Sequence, residues 1–147
     1  MPKARTPRTR GYRLAVYPAV LPTTNTRVTR LVLETSQDFA TFQYHISVSE
    51  QRKANLLRYR ILGLQAPANL LPASGPARFV RDYPDLSGSV EVQIDGIERR
   101  TLSCSFNVTP ERVRLLKAPT GTALTVSTEP ALPGPSAFSQ NPGNTRL

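Results

Sequence analysis

Through most of the stretch from Val28 to Val108, apolar residues recur at every second position, the spacing that sets alternate side chains on one face of an extended strand. Tyr12, Leu14 and Val16 alternate with Arg13, Ala15 and Tyr17, which predicts a short first strand stopped by Pro18. A second strand over Arg27 to Glu34 sets Thr29, Leu31 and Leu33 on one side. A third begins at Asp38, with Phe42, Tyr44, Ile46 and Val48 facing inward and Gln43, His45, Ser47 and Ser49 facing solvent. The polar run Glu50, Gln51, Arg52 and Lys53 reads as a turn into Leu57, Tyr59 and Ile61, which alternate with Arg58 and Arg60, so a hairpin is predicted.

From Gln65 to Ala77, Pro67, Pro72, Gly75 and Pro76 leave no room for a regular element, and the segment is expected to cross from one sheet to another. Its Leu70 and Leu71 are expected to plug an open end of the fold, the other reading being a docking site for a partner. A strand over Arg78 to Tyr83 sets Phe79, Arg81 and Tyr83 on one side and ends at Pro84. Val90, Val92 and Ile94 form one arm of a hairpin, and Leu102, Cys104, Phe106 and Val108 form the other. The turn signal at Asp95-Gly96 predicts a three-residue loop that pairs Ile94 with Glu98 and Val90 with Leu102, with Gly96 in a left-handed bulge.

Thr109, Pro110 and Glu111 resemble a helix start, yet Val113 and Leu115 alternate with Arg112 and Arg114. A closing strand is preferred, because an open edge needs cover and the helix would span only about two turns. Beyond Ala118 only Leu124 to Val126 suggests a further edge strand. The pattern as a whole predicts an all-β protein, an antiparallel β-sandwich of about seven or eight strands over residues 11–118. A basic arm, residues 1–10, precedes it, and a Pro-, Ser- and Thr-rich tail, residues 119–147, follows; both ends are expected to be largely disordered.

Composition agrees with many short strands joined by turns: 14 Pro and 8 Gly stand against 7% aromatics and no Trp in 147 residues. The net charge of +9 is unevenly placed. Lys3, Arg5, Arg8, Arg10 and Arg13 meet no acid before residue 25, whereas acids offset most of the basic side chains farther on. An acid-free arm of five cations is drawn to a polyanion, with an affinity that falls as salt rises. Most of the basic residues are Arg, which grips phosphate bidentately; a compositional bias of the source genome accounts for the same excess.

Cys104 is the only cysteine, so packing rather than an internal disulfide must supply stability, and an intracellular, cytoplasmic setting is favoured. No apolar run approaches the ~18 residues of a membrane-spanning helix. The basic start followed by Leu14 to Leu21 faintly resembles a secretion signal but lacks a small-residue cleavage site. Pro2 and Pro7 oppose the amphipathic helix of a transit peptide.

Catalytic candidates are few. His45 is the only histidine, which excludes a His-based metal cluster and leaves one imidazole for any Ser-His-Asp set; a solvated surface histidine is the simpler reading. Cys104 shares a face with Leu102 and Phe106, where a thiol behaves as a small hydrophobe. Asp82 and Asp85 flank Tyr83-Pro84 and are better suited to capping backbone N–H groups than to holding calcium or cleaving glycosides. No catalytic residue, cofactor or metal is therefore expected.

The basic side chains inside the domain point elsewhere. Arg58 and Arg60 share a strand face, Arg99 and Arg100 follow a turn, and with Arg112 and Arg114 they are candidates for one basic stripe; the plainer reading is a solvated face balanced by Glu91, Asp95 and Glu98. Tyr12, Tyr17 and Tyr59 form no base-stacking motif. The expected function is a non-enzymatic interaction or structural module contacting RNA or DNA within a larger assembly through Lys3, Arg5, Arg8, Arg10, Arg13, Arg58, Arg60, Arg99 and Arg100. The alternatives are a sandwich or barrel enclosing a small apolar ligand, recognisable by an interior cavity above about 300 Å³, and a hydrolase built on His45.

Overall fold

The computed structural model describes residues 11–68 and 72–130, and the chain is all-β. The strands are β1 (Tyr12–Leu21), β2 (Thr26–Phe39), β3 (His45–Lys53), β4 (Leu56–Gln65), β5 (Gly75–Tyr83), β6 (Gly88–Ile97), β7 (Arg100–Val108), β8 (Val113–Lys117) and β9 (Leu124–Ser127). They join in one nearly closed, barrel-like sheet in the order β8-β7-β6-β4-β3-β5-β2-β1-β9. The count exceeds the expected seven or eight, and the sheet is mixed: β1 with β9, β3 with β5 and β4 with β6 run parallel, the other joints antiparallel. The parallel joints have a topological cause. After β4 the Pro-rich segment carries the chain across β3 to its far side, so β5 pairs with β3 and β2 while β6 returns to β4. The crossing thus stays within one sheet. Leu70 and Leu71, expected as a plug, lie outside the described residues, as do residues 1–10 and 131–147.

Alternation fills the inner face as the sequence predicts. Leu14, Leu31, Leu33, Leu57, Tyr59, Val90, Val92, Ile94 and Phe106 are almost fully buried in one core. At about 25 cal/mol per Å² of apolar surface removed from water, each large side chain contributes roughly 1.5–3 kcal/mol.

Where the elements differ from the sequence reading, backbone hydrogen bonding or a bulge explains it. β1 does not stop at Pro18 but pairs with β2 as far as Leu21. The Tyr12 N–H donates to Ala123 O at 2.9 Å, on the β9 side. By alternation the nitrogen of residue 18 faces that side too, and β9 has already ended opposite Ala15, so the proline removes no ladder bond.

β2 likewise runs on to Phe39, past the point where a third strand was expected to start, because its register against β5 slips between Glu34 and Asp38. The slip strands the Ala77 N–H, and the fully buried Thr35 Oγ1 accepts it at 2.9 Å while donating to Gln37 O at 2.8 Å. Phe42 and Tyr44 then precede β3, packed edge-on with ring centroids 6.1 Å apart.

The β3–β4 hairpin forms with its turn at Ala54-Asn55, not over residues 50–53; Ala54 adopts φ 53°. The β6–β7 hairpin keeps the predicted inward faces in a different register: Val90 lies opposite Phe106 and Ile94 opposite Leu102. Gly96 is the bulge, at φ 105°, but the loop is the two-residue Glu98-Arg99, both left-handed at φ 53° and 60°. The reason is Ile97, which the bulge turns into the core; a loop tip at that position would leave it in water. At Thr109 the helix-like signal closes a tight turn with Arg112, and β8 follows as the preferred closing strand. β9 forms where Leu124 to Val126 suggested an edge strand.

Replacing Thr35 by Val keeps the shape but leaves the Ala77 N–H buried without an acceptor, and is expected to destabilise the fold by about 1–3 kcal/mol, with Thr35→Ser close to the parent. Urea unfolding of the three proteins checks this, and a Val variant as stable as the parent contradicts it.

Candidate anion-binding groove

Gly96 positions a basic feature of the outer face. Its φ of 105° suits glycine, and a Cβ there would lie 3.2 Å from Ile61 O, so β6 can bulge against β4 only without a side chain. The bulge turns Ile97 inward and swings the Glu98-Arg99 turn out over the neighbouring strands. Arg99 and Arg100 then overhang a groove of about 500 Å³. Arg58 and Arg60 of β4 line its floor, and Ser49 and Gln51 of β3 face them, Ser49 opposite Arg60 and Gln51 opposite Arg58. Thr101 of β7 and Asp95 of β6 complete the wall.

Two of the four guanidinium groups are internally balanced. Arg58 Nε donates to Asp95 Oδ2 at 3.0 Å, and Arg100 Nη2 donates to Glu98 Oε1 at 3.1 Å. The Thr101 hydroxyl also donates to Asp95 and, together with Arg58, holds that carboxyl below the usual carboxylate range. The guanidinium groups of Arg60 and Arg99 form no hydrogen bond or ion pair among the described residues, although Arg60 is near enough to help lower the pKa of Asp95. The groove therefore offers two guanidinium groups without a hydrogen-bonded partner, two more in weak exposed pairs, and hydroxyl and amide donors; among the described residues no aromatic ring lines it. Chemically it can receive phosphate or carboxylate oxygens, with nothing to stack a base.

Of the nine candidate binding residues, Arg58, Arg60, Arg99 and Arg100 converge here. Lys3, Arg5, Arg8 and Arg10 lie outside the described residues. Arg13 is four strands along the sheet, where its Nη2 donates to Glu34 Oε1 at 3.2 Å. Arg112 and Arg114 do not extend the groove: Arg114 lies opposite Asn107, at the end of β7 remote from Arg100. The balancing acids are in part as expected, since Asp95 and Glu98 engage arginines, whereas Glu91 accepts from Gln93 at 3.0 Å.

Asp82 and Asp85 are engaged chiefly by arginines, although the Asp85 carboxylate also accepts its own backbone N–H. Asp82 receives a bidentate Arg30, with Nε at 2.8 Å and Nη2 at 3.1 Å, and Asp85 receives Arg52 Nη1 at 2.8 Å. His45 is exposed at the start of β3, and its imidazole makes no hydrogen bond among the described residues. Cys104 is buried, and burial pushes its thiol up to about 12. Among the described residues no three metal-ligating side chains cluster, and no helix is long and apolar enough to cross a membrane.

The sequence reading missed a second polar assembly. Tyr59 and Tyr83 share a 2.5 Å hydrogen bond between their hydroxyls inside the fold. The guanidinium groups of Arg81 and Arg52 lie 5.1 and 5.5 Å from the Tyr83 ring centroid, and Glu50 receives Arg81 at 2.9 Å. The period-two pattern places Tyr59 and Tyr83 inward, but their meeting depends on β3 lying between β4 and β5, which no local signal encodes. Comparison with protein-family models, with curated proteins and with solved structures finds no match, so any functional reading rests on this geometry.

Burial raises the pKa of both tyrosines above the usual phenol value, most strongly that of Tyr59. Below pH ~10 folded and unfolded chains both keep these protons; above it the unfolded chain releases them first, so stability falls as pH rises, by about 1.4 kcal/mol per pH unit for each phenol held protonated. Unfolding free energies of the parent and Tyr59→Phe are expected to diverge in slope above pH ~10, the difference approaching about 1.4 kcal/mol per pH unit near pH 11, and equal slopes there contradict the assignment.

Proposed function

We propose that the protein is a non-enzymatic binding module for an anionic polymer, RNA or DNA, engaged through phosphate oxygens. The observation that supports this reading is the convergence of Arg58, Arg60, Arg99 and Arg100 on one groove, the Arg60 and Arg99 guanidinium groups being without a hydrogen-bonded partner among the described residues. Arginine forks suit phosphate, and Ser49, Gln51 and Thr101 add neutral hydrogen-bonding groups. A groove without aromatic rings favours backbone contact over base recognition, so binding is expected to depend on salt and little on sequence. The acid-free segment carrying Lys3, Arg5, Arg8 and Arg10 adds charge to the same task. On this reading the module works inside the cell, in the cytoplasm, as a structural part of a larger nucleic-acid assembly; the lone, buried Cys104 suits a reducing compartment.

Binding of a generic oligonucleotide across a salt series tests the proposal. Combining Arg60→Gln with Arg99→Asn, the second chosen because asparagine accepts the left-handed backbone, is expected to make the log–log salt slope shallower by about 1.4–1.8. Removing residues 1–10 takes away four cations and is expected to make it shallower by about 2.8–3.6. Asp95→Asn acts the other way, freeing Arg58 and tightening binding. Slopes unchanged by all three alterations reject the reading.

A further inference from the structure

We propose that β8 is a docking edge for an extended segment of another protein that alternates acidic and apolar residues. β8 ends the sheet, and among the described residues only β7 pairs with it. Its register against β7 slips between Phe106 and Ser105: Leu115 lies opposite Phe106, Lys117 opposite Ser105, and Leu116 is the extra residue that nothing in β7 faces. Leu115 thus stands on the inner side with Val113 and Phe106, yet it is 39% exposed where Val113 is buried: β1 approaches β8 across the unclosed side, but among the described residues no strand is hydrogen-bonded to that edge. Leu116 is 50% exposed. The other lip of the unclosed side repeats the pattern: past the end of β9, Val20 continues the inward alternation of Leu14 and Val16 and is 51% exposed.

Charge selects the occupant. Arg114 and Lys117 lie opposite the outward-facing Asn107 and Ser105, Arg112 precedes them, and none of the three forms an ion pair among the described residues. The nearby Glu111 is engaged by Arg27 at 3.5 Å. A second copy of β8 would set these cations against themselves, and a nucleic acid would match them but could neither cover Leu115 nor use the free backbone edge. An extended peptide satisfies all three demands: backbone groups pair along β8, apolar side chains extend the row of Leu115, and carboxylates stand beside Arg114 and Lys117.

The test uses the full-length protein and a labelled peptide alternating Glu and Val, followed by fluorescence anisotropy, with amide exchange reporting on residues 113–117. Saturable binding that protects β8 amides is expected, weakened about tenfold by combining Arg114→Glu with Lys117→Glu, both exposed and outside the core. A peptide with the same side chains but N-methylated at alternate residues is expected not to bind. Absence of saturable binding overturns the proposal, as does an N-methylated peptide that binds equally, since attraction is then purely electrostatic. Displacement of the peptide by an oligonucleotide that itself shifts the β8 amides also overturns it and assigns the edge to the nucleic-acid surface. The charge-reversed variant is expected to keep the groove's salt slope, so failure here is separable from failure of the groove.

Discussion

The nine described strands act as one sheet only if β3 and β5 are held together, and among the described residues the backbone ladder does this at a single position, His45 opposite Arg78. Beyond it, side chains bridge the joint. Arg81 of β5 grips Glu50 of β3, Arg52 of β3 reaches Asp85 just past β5, and the Tyr83 ring lies close to both guanidinium groups. Below that layer Tyr83 is hydrogen-bonded to Tyr59 of β4. Each ion pair is exposed enough to contribute little alone, and each cation–π contact contributes about 0.5–1 kcal/mol at such sites. The buried hydroxyl pair gives the joint its directionality: with both oxygens away from water, separating them leaves polar groups unsatisfied. Through this joint the groove floor, made of β3 and β4, is tied to β5, β2, β1 and β9.

Strand existence was legible in the sequence, and strand order was not. Val90, Val92 and Ile94, or Leu102, Cys104 and Phe106, declare their buried face by spacing alone, because burial of one face is enforced residue by residue. At Val113 spacing admits both a helix and a strand, and the shortness of the helix together with the need to cover an edge favours the strand. Spacing carries no information about which strands become neighbours. The parallel β4–β6 joint follows from a crossover, and the run of Pro67, Pro72 and Pro76 marks it only as a connection. Turn positions failed for a related reason: left-handed Ala54, Glu98 and Arg99 sit where no glycine advertises them, held there by the register of buried residues on either side.

The site was legible in part. Arg58 and Arg60 were visible as a pair because alternation fixes their common face, and Arg99 and Arg100 because they follow a turn. That these two pairs share a groove required the parallel joint and the bulge at Gly96. The polar partners Ser49 and Gln51 were hidden behind the misplaced β3–β4 turn, since moving the tip to Ala54-Asn55 is what brings them opposite Arg60 and Arg58. The buried Glu34, gripped by Arg13 at 3.2 Å and by Arg78 at 2.6 Å, was invisible for a further reason: it occupies an outward position that alternation assigns to solvent. Two arginines from neighbouring strands fold over it and supply the hydrogen bonds water would otherwise make.

Inner and outer faces are coupled at Gly96 more tightly than their separate descriptions suggest. One inserted residue changes the phase of β6, so that Ile97 enters the core instead of following Asp95 outward. The core therefore anchors the turn directly beneath Arg99 and Arg100, and those guanidinium groups are carried on a short, packed hairpin, not on a loose loop. A side chain at position 96 would press on Ile61 O and strain the backbone at once. The packing that keeps Ile97 from water thus also fixes the backbone that carries Arg99 and Arg100, while Arg58 and Arg100 reach Asp95 and Glu98 through their side chains.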